Sequence, residues 1–191
     1  MKYKTIMLSL SGYARLARAK KVFSDRIGLE LSFNEFVSEM LCNNIEFLDI
    51  DDKLKSYIAG FVDKVSLLDG VRGVLIFGSI PKGTYNENSD IDLLVVVKSG
   101  SNGMLGKIDE IAYSMHKEGT ALMSANLPSL INPIVINEKN LMAFRPLYFD
   151  IADYGVVLYE KGHVLTDMIY AFKKRKHSRQ VVDNMEVLTW E

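Results

Sequence analysis

The chain has 191 residues, enough for one good hydrophobic core or two small domains. It is 48% hydrophobic and 25% charged, an ordinary globular balance, and its net charge of −1 predicts no strong general attraction to nucleic acid. The single cysteine excludes an internal disulfide, and neither a transmembrane run nor a signal peptide is recognisable. We therefore expect a cytoplasmic protein that does not bind membranes.

The N-terminal segment, residues 1–45, is predicted to form a strand and two helices. The strand covers Thr5–Leu10, and Ser11 can cap a helix that runs to about Val22. The capping box Ser32-Phe33-Asn34-Glu35 opens the second helix. Because a lone strand leaves its edges unpaired, we expect this segment to form a homodimer with its copy in a second chain.

A helix, two strands and a second helix are predicted in the centre of the chain. Asp51 or Asp52 can cap the first helix, which leads into a buried strand over Val71–Phe77. The apolar run Leu93–Val97 predicts the next strand, and a long helix begins at about Met104. The core-facing residues of the long helix are predicted to be Leu105, Ile108, Ile111, Ala112 and Met115.

The last third of the chain is predicted to contain two strands, a helix and a basic tail. The strands cover Asn132–Ile136 and Tyr154–Tyr159, and the helix covers Val164–Phe172. The tail, residues 173–191, opens with a run of basic residues. These cations either complement the negative end of the helix dipole or contact a phosphate of RNA or of a nucleotide.

A glycine-serine turn and two aspartates form the most informative motif. Gly78-Ser79 follows the predicted strand Val71–Phe77, and after ten residues Asp90 and Asp92 stand at the head of the apolar run Leu93–Val97. Alternate strand residues share a face, so the two carboxylates should lie about 7 Å apart. Two such charges repel each other unless a cation lies between them, and magnesium prefers oxygen ligands. With the backbone N–H groups of the turn, this arrangement is typical of phosphoryl or nucleotidyl transfer.

The same motif resembles the nucleotidyltransferase fold of the DNA polymerase beta superfamily. The spacing of Gly78-Ser79 and Asp90-Ile91-Asp92 is similar to that of minimal nucleotidyltransferases, including those paired with HEPN proteins in toxin–antitoxin systems. Many members have Gly-Ser-x-x-Arg-Gly, where this chain has Lys82 before Gly83. The resemblance implies an α/β (α+β) fold, with a mixed central sheet flanked by helices over residues 51–172.

A second stretch looks like prokaryotic members of this superfamily, archaeal ones especially. It runs from Pro146 to Ile151 and continues in Gly155–Tyr159.

The resemblance also implies an activity and a set of site residues. A nucleoside monophosphate, AMP, would pass from a magnesium- or manganese-bound nucleoside triphosphate such as ATP to a protein, RNA or small-molecule acceptor. Asp90 and Asp92 would bind the metal, and the triphosphate would be bound by Gly78, Ser79, Lys82 and Gly83. Lys82 has the alternative of being a solvated surface residue.

One departure from the superfamily concerns the third carboxylate, which members usually supply from the next central strand. Here Ile131–Ile136 contains no Asp or Glu, and Asn132, Asn137 and Glu138 are the polar residues in or beside it. The protein is then expected to be slow, to recruit Asp150 or Asp153, or to bind nucleotide without turnover.

Two other functions remain open from the sequence. Residues 1–45 resemble the ribbon–helix–helix fold of small antitoxins and repressors, in Lys4-Thr5-Ile6-Met7-Leu8-Ser9 and the two helices. The alternatives are therefore a DNA-binding regulator, or an antitoxin-type protein that neutralises a HEPN-type toxin. The outward strand positions Thr5, Met7 and Ser9 offer no Arg, Asn or Gln to read bases, which favours dimerisation over DNA reading.

Overall fold

The computed structural model of the chain describes residues 9–28, 30–34, 36–37, 45, 48–101, 103–143, 145–175, 177–182 and 185–190. The chain divides into two compact units, Met1–Leu41 and Cys42–Glu191.

The first unit contains helix α1 (Leu10–Ile27), which begins and ends at different residues from those predicted. Ser9, not Ser11, is the N-cap, and its hydroxyl accepts the N–H of Gly12 at 3.1 Å. The helix passes Val22 and ends at Gly28, which adopts the left-handed conformation that suits a helix C-terminus. Leu10, predicted to end a strand, is therefore helical, and the remaining predicted strand residues before Ser9 lie outside the described part of the chain.

A second helical segment packs on α1 through aromatic rings. Phe33 and Phe36 are helical, and the N–H of Phe36 donates to the carbonyl of Ser32 at 3.0 Å. Tyr13 of α1 stacks on Phe33, with ring centroids 5.2 Å apart, and Phe23 contacts Phe36 at 5.7 Å. The ring contacts hold the two helical segments together.

The second unit contains five helices, six strands and a short 3-10 turn among its described residues. In chain order they are α2 (Asp52–Ser66), β1 (Val71–Phe77), α3 (Ser79–Lys82), β2 (Asp90–Val97), α4 (Met104–Met123), β3 (Leu130–Asn137), the 3-10 turn Glu138–Asn140, α5 (Leu147–Tyr154), β4 (Val156–Glu160), α6 (Val164–Lys173), β5 (His177–Val182) and β6 (Met185–Trp190). Of the two caps that the sequence allowed for α2, Asp51 is the one that the structure uses.

The central sheet has the strand order β3-β2-β1-β4 and mixed pairing. Strand β1 runs antiparallel to both β2 and β4, whereas β2 and β3 are parallel. In this register Asp92 pairs with Phe77 on one side and with Asn132 on the other. The end of β1 and the starts of β2 and β3 therefore meet at one edge of the sheet.

Helices cover both faces of the sheet. Residues of α2 and α4 pack on the face that contains Ile91 and Leu93. Residues of α5 and α6 pack on the opposite face, which contains Leu94 and Val96. Asp92 alternates with Ile91 and Leu93, so it lies on the same face as α5 and α6. Leu105, predicted to face the core, is instead 57% exposed.

The last two strands, β5 and β6, form an antiparallel hairpin within the segment that the sequence suggested as a basic tail. Phe149 of α5 packs against this hairpin, with its ring centroid 4.6 Å from that of His177 and 6.0 Å from that of Trp190. In the described part of the chain, no helix is both long and apolar enough to cross a membrane.

Candidate nucleotide site

Gly78 brings the turn after β1 into contact with Asp92. Its backbone angles, φ 79° and ψ −145°, lie in a region that is essentially restricted to glycine. A Cβ atom at this position would lie 2.5 Å from Oδ2 and 3.3 Å from Cγ of Asp92. A side chain would therefore displace the carboxylate, so glycine is required both for its conformation and for the space it leaves.

The two aspartates stand at the start of β2, as the sequence predicts. Asp92 is half-buried, and Asp90 is exposed. Burial raises the pKa of Asp92, a hydrogen bond from Asn132 lowers it, and the negative charge of Asp90 raises it further. A cation between the two carboxylates would favour the ionised form of Asp92 against both burial and repulsion.

Asn132 lies directly beside Asp92 on the neighbouring parallel strand. Its side-chain amide Nδ2 donates to Oδ1 of Asp92 at 3.0 Å. Asn137, at the other end of β3, instead accepts the hydroxyl hydrogen of Ser99 at 2.7 Å. Glu138 forms an ion pair with Arg72 at 3.5 Å. Of the three polar candidates, only Asn132 therefore contacts the aspartate pair.

The described residues contain no cluster of three or more aspartate, glutamate, histidine or cysteine side chains suited to a metal. Within the described part of the chain, the aspartate pair is joined by the amide of Asn132 and by no third carboxylate.

The turn from Gly78 to Gly83 is closed by its own backbone. The N–H of Gly83 donates to the carbonyl of Ile80, and that of Thr84 to the carbonyl of Ser79, both at 3.0 Å. Gly83 has φ 70°, but a Cβ atom there would meet nothing within 4 Å. Glycine at this position thus serves backbone conformation alone. The N–H groups of Ser79 and Ile80, at the start of a helical turn, have no acceptor within that turn.

Lys82 lies in an ion pair with a residue of α5. Its Nζ is 2.7 Å from Oδ1 of Asp150, and it sits over the ring of Tyr154 at 5.1 Å. Arg179 contacts both Asp150, at 3.3 Å, and Asp153, at 2.9 Å. Asp150 and Asp153 were the sequence-based candidates for the missing third carboxylate. In the structure, both of these carboxylates already bind basic side chains.

The sequence analysis placed His177 and Arg179 in the basic run of the tail, but it did not predict that they would contact aspartates of α5. His177 Nε2 lies 3.1 Å from Oδ1 of Asp153. Their place beside α5 depends on a hairpin that the sequence did not reveal, so no local pattern could have paired them with aspartates more than 20 residues away.

A mixed sheet with helices on both faces and an aspartate pair beside a glycine-serine turn defines a nucleotidyltransferase fold, which confirms the predicted fold class. Residues 58–188 match the family model described as a nucleotidyltransferase domain. The chain belongs to this family, and the domain match reaches into the C-terminal hairpin.

Two solved structures resemble the chain at low identity. One is a crystal structure of a toxin–antitoxin with AMP-PNP, at 21% identity and a TM-score of 0.40, covering 62% of this chain and 81% of that one. The other, from Sulfolobus solfataricus, is described as a nucleotidyltransferase, at 20% identity and a TM-score of 0.33, covering 56% of this chain and 79% of that one. No curated protein matches the chain significantly.

The donor set at this edge of the sheet fits a nucleotide with a divalent cation. Asp90 and Asp92 offer only oxygen atoms, which magnesium and manganese prefer. Because Gly78 has no side chain, the backbone of the turn lies directly against Oδ2 of Asp92. These are observations on the chain itself, and they agree with the family assignment.

Proposed function

We propose that this protein transfers a nucleoside monophosphate, AMP, from ATP to an acceptor hydroxyl, with magnesium or manganese bound by Asp90 and Asp92. The observation that supports this most directly is the close approach of Gly78 to Oδ2 of Asp92. It joins the phosphate-binding turn and the metal-binding carboxylates of the proposed site in one place. The nucleotidyltransferase domain match supports the general reaction.

In the proposed reaction, the acceptor oxygen forms a bond to the α-phosphorus of the triphosphate. The bond from that phosphorus to the oxygen bridging to the β-phosphate breaks, pyrophosphate leaves, and the hydroxyl proton passes to solvent. A divalent cation held by Asp90 and Asp92 would lower the pKa of the acceptor hydroxyl and neutralise charge on the leaving group. The N–H groups of the Gly78-Ser79 turn would bind phosphate oxygens, and Asp90 and Asp92 would fix the metal.

Asn132 is the residue from which we infer that the reaction is slow. Its amide orients Oδ1 of Asp92 through the 3.0 Å hydrogen bond, but it adds no negative charge. Since a carboxylate binds a hard cation more strongly than an amide does, the metal that activates the acceptor would be held weakly. We therefore propose that nucleotide binding survives better than chemistry and that turnover is slow without a protein or RNA acceptor.

The same feature favours a second candidate function. A nucleotide-binding domain with weak turnover suits an antitoxin-type protein that binds a HEPN-type toxin, with or without adenylylating it. In both proposals the chain is a homodimer formed at least partly by residues 3–41.

The primary test measures metal-dependent nucleotide binding. Calorimetry with magnesium and a non-hydrolysable ATP analogue should detect binding to the wild type and lose most of it in the Asp90→Asn, Asp92→Asn double variant. Asp109→Asn with Glu110→Gln is a matched control, because both side chains are exposed on α4. Equal affinity of the Asp90/Asp92 variant and the wild type would refute the proposed site.

Incubation with labelled ATP then separates the two functions. Transfer of label to protein, RNA or a small molecule supports the transferase. Tight binding of a HEPN partner without label transfer supports the antitoxin-type function.

A further inference from the structure

A continuous set of charged contacts links the turn after Gly78 to the C-terminal hairpin. Lys82 contacts Oδ1 of Asp150 at 2.7 Å, and Arg179 approaches the same oxygen at 3.3 Å. Arg179 also donates from Nε to Oδ2 of Asp153 at 2.9 Å. Helix α5, which supplies both aspartates, thus connects the turn to strand β5.

These side chains are shielded from water. The exposed fractions of the Lys82, Asp150 and Arg179 side chains are 25%, 19% and 18%. Both cations lie over the ring of Tyr154: Nζ of Lys82 is 5.1 Å and Cζ of Arg179 is 5.3 Å from the ring centroid. An ion pair in such a place is screened less than one in open solvent, so it can fix geometry. Because Lys82 is paired with Asp150, its positive charge is already largely neutralised in the absence of a phosphate ligand.

The turn needs anchors, because it is too short to be stable by itself. Helix α3 has four residues, far below the length at which an isolated helix persists in water. On one side the fully buried Ile80 joins the core beneath α2 and α4. On the other side Lys82 reaches α5, which covers the opposite face of the sheet. The turn is therefore attached to both layers of the domain.

We propose that Lys82 and Asp150 are positioning residues of the nucleotide site. Their ion pair anchors the turn from Gly78 to Gly83 to helix α5, and Arg179 of the hairpin keeps Asp150 in place. Lys82 thus acts on nucleotide binding through the backbone of the turn and not by contacting a phosphate. The inference rests on the proposed function for its effect on nucleotide, but the anchoring itself is testable without one.

The first experiment measures backbone opening in the absence of nucleotide. Hydrogen exchange of the Gly83 and Thr84 amides should become about tenfold faster in Lys82→Met and in Asp150→Asn, the factor that a loss of about 1.4 kcal/mol produces. The double variant should show the same increase as either single variant, and exchange in α2 should not change. Unchanged exchange at Gly83 and Thr84 in both single variants would overturn the anchor, whether or not the protein binds nucleotide.

The second experiment is a double-mutant cycle on magnesium–ATP and magnesium–ADP affinity in the full chain. An anchor predicts that both single variants and the double variant lose affinity by a similar factor, and that the loss is equal for the two nucleotides. Direct phosphate contact predicts a loss in Lys82→Met that is larger for ATP and persists in the Asp150→Asn background; this result would overturn the proposal. Lys82→Arg should restore affinity, and Lys161→Met, which removes an exposed cation over Tyr159, is the control.

The two experiments separate the proposals. If the wild type fails to bind nucleotide, the proposed function and the positioning role both fail, while the exchange data still decide whether the anchor exists. If the wild type binds and the cycle is additive, only the positioning role fails.

Discussion

Gly78→Ala is the substitution that most directly probes the contact between the turn and the aspartate pair. The backbone at Gly78 has φ 79° and ψ −145°, and a non-glycine residue there costs about 1–3 kcal/mol. In addition, the new methyl group would lie 2.5 Å from Oδ2 and 3.3 Å from Cγ of Asp92. The carboxylate is the movable end of this contact, so it would rotate away and weaken its hydrogen bond with Asn132.

The expected effect on stability is moderate, and the effect on binding is larger. A loss of about 2 kcal/mol lowers the melting temperature of a domain this size by roughly 4–8 °C. The hydrogen bond from Asn132 that holds the carboxylate of Asp92 contributes about 1.5–3 kcal/mol, as is usual for a bond to a charged group. A factor of ten in affinity corresponds to about 1.4 kcal/mol. If the carboxylate is misplaced, magnesium–ATP binding should therefore weaken at least tenfold.

Gly83→Ala is the matched control, because it shares the positive φ but not the contact. Its φ is 70°, and a Cβ atom there would have no neighbour within 4 Å. We expect a cost of about 1–2 kcal/mol in stability and little change in nucleotide affinity. Calorimetry on both variants, after thermal unfolding has shown that each is folded, gives the comparison. Wild-type affinity in Gly78→Ala, or an equal loss in both variants, would refute the reasoning.

Three further predictions concern the aspartate pair and the first unit. Because burial and Asp90 raise the pKa of Asp92 in the metal-free fold, its contribution to stability is greatest at acid pH and declines as pH rises through that pKa. Asp92→Asn should therefore raise the melting temperature in EDTA at neutral pH, and the gain should vanish below about pH 4; a gain that grows towards acid contradicts this. Asn132→Asp should increase magnesium-dependent nucleotide transfer, whereas Asn137→Asp, whose side chain bonds Ser99, should not; equal effects of the two would show that the missing carboxylate is not the limit. Finally, sedimentation should show a dimer for the full chain and a monomer for a chain lacking the first unit, residues 1–41, and a dimer in both would rule out this unit as the interface.

Several elements could be predicted correctly because their sequence patterns are local. The strand Val71–Phe77 has the predicted bounds, and its apolar run Val74–Phe77 ends directly at Gly78. Asp51 caps α2, and the alternation of Asp90 and Asp92 along β2 follows from the geometry of any strand. The spacing from Gly78 to the aspartates was enough to indicate a nucleotidyltransferase.

Local patterns failed where two choices were locally equivalent. Ser9 and Ser11 are both suitable N-cap residues. The helix α1 begins after Ser9, because Ser9 has an extended backbone and its hydroxyl accepts the N–H of Gly12. Leu105 belongs to the apolar stripe of α4, yet it is 57% exposed. The stripe is predicted from an ideal helical period, whereas burial depends on which other elements pack over each position.

The contacts between residues of the site depend on the folding of distant segments against one another. Asn132 lies beside Asp92 because β2 and β3 pair in parallel register, a relation between segments 40 residues apart. Lys82 binds Asp150, and Arg179 contacts the same aspartate from a hairpin that the sequence pattern did not predict. Sequence patterns describe a residue's own helix or strand, whereas ion pairs and hydrogen bonds between distant segments depend on how the whole chain packs.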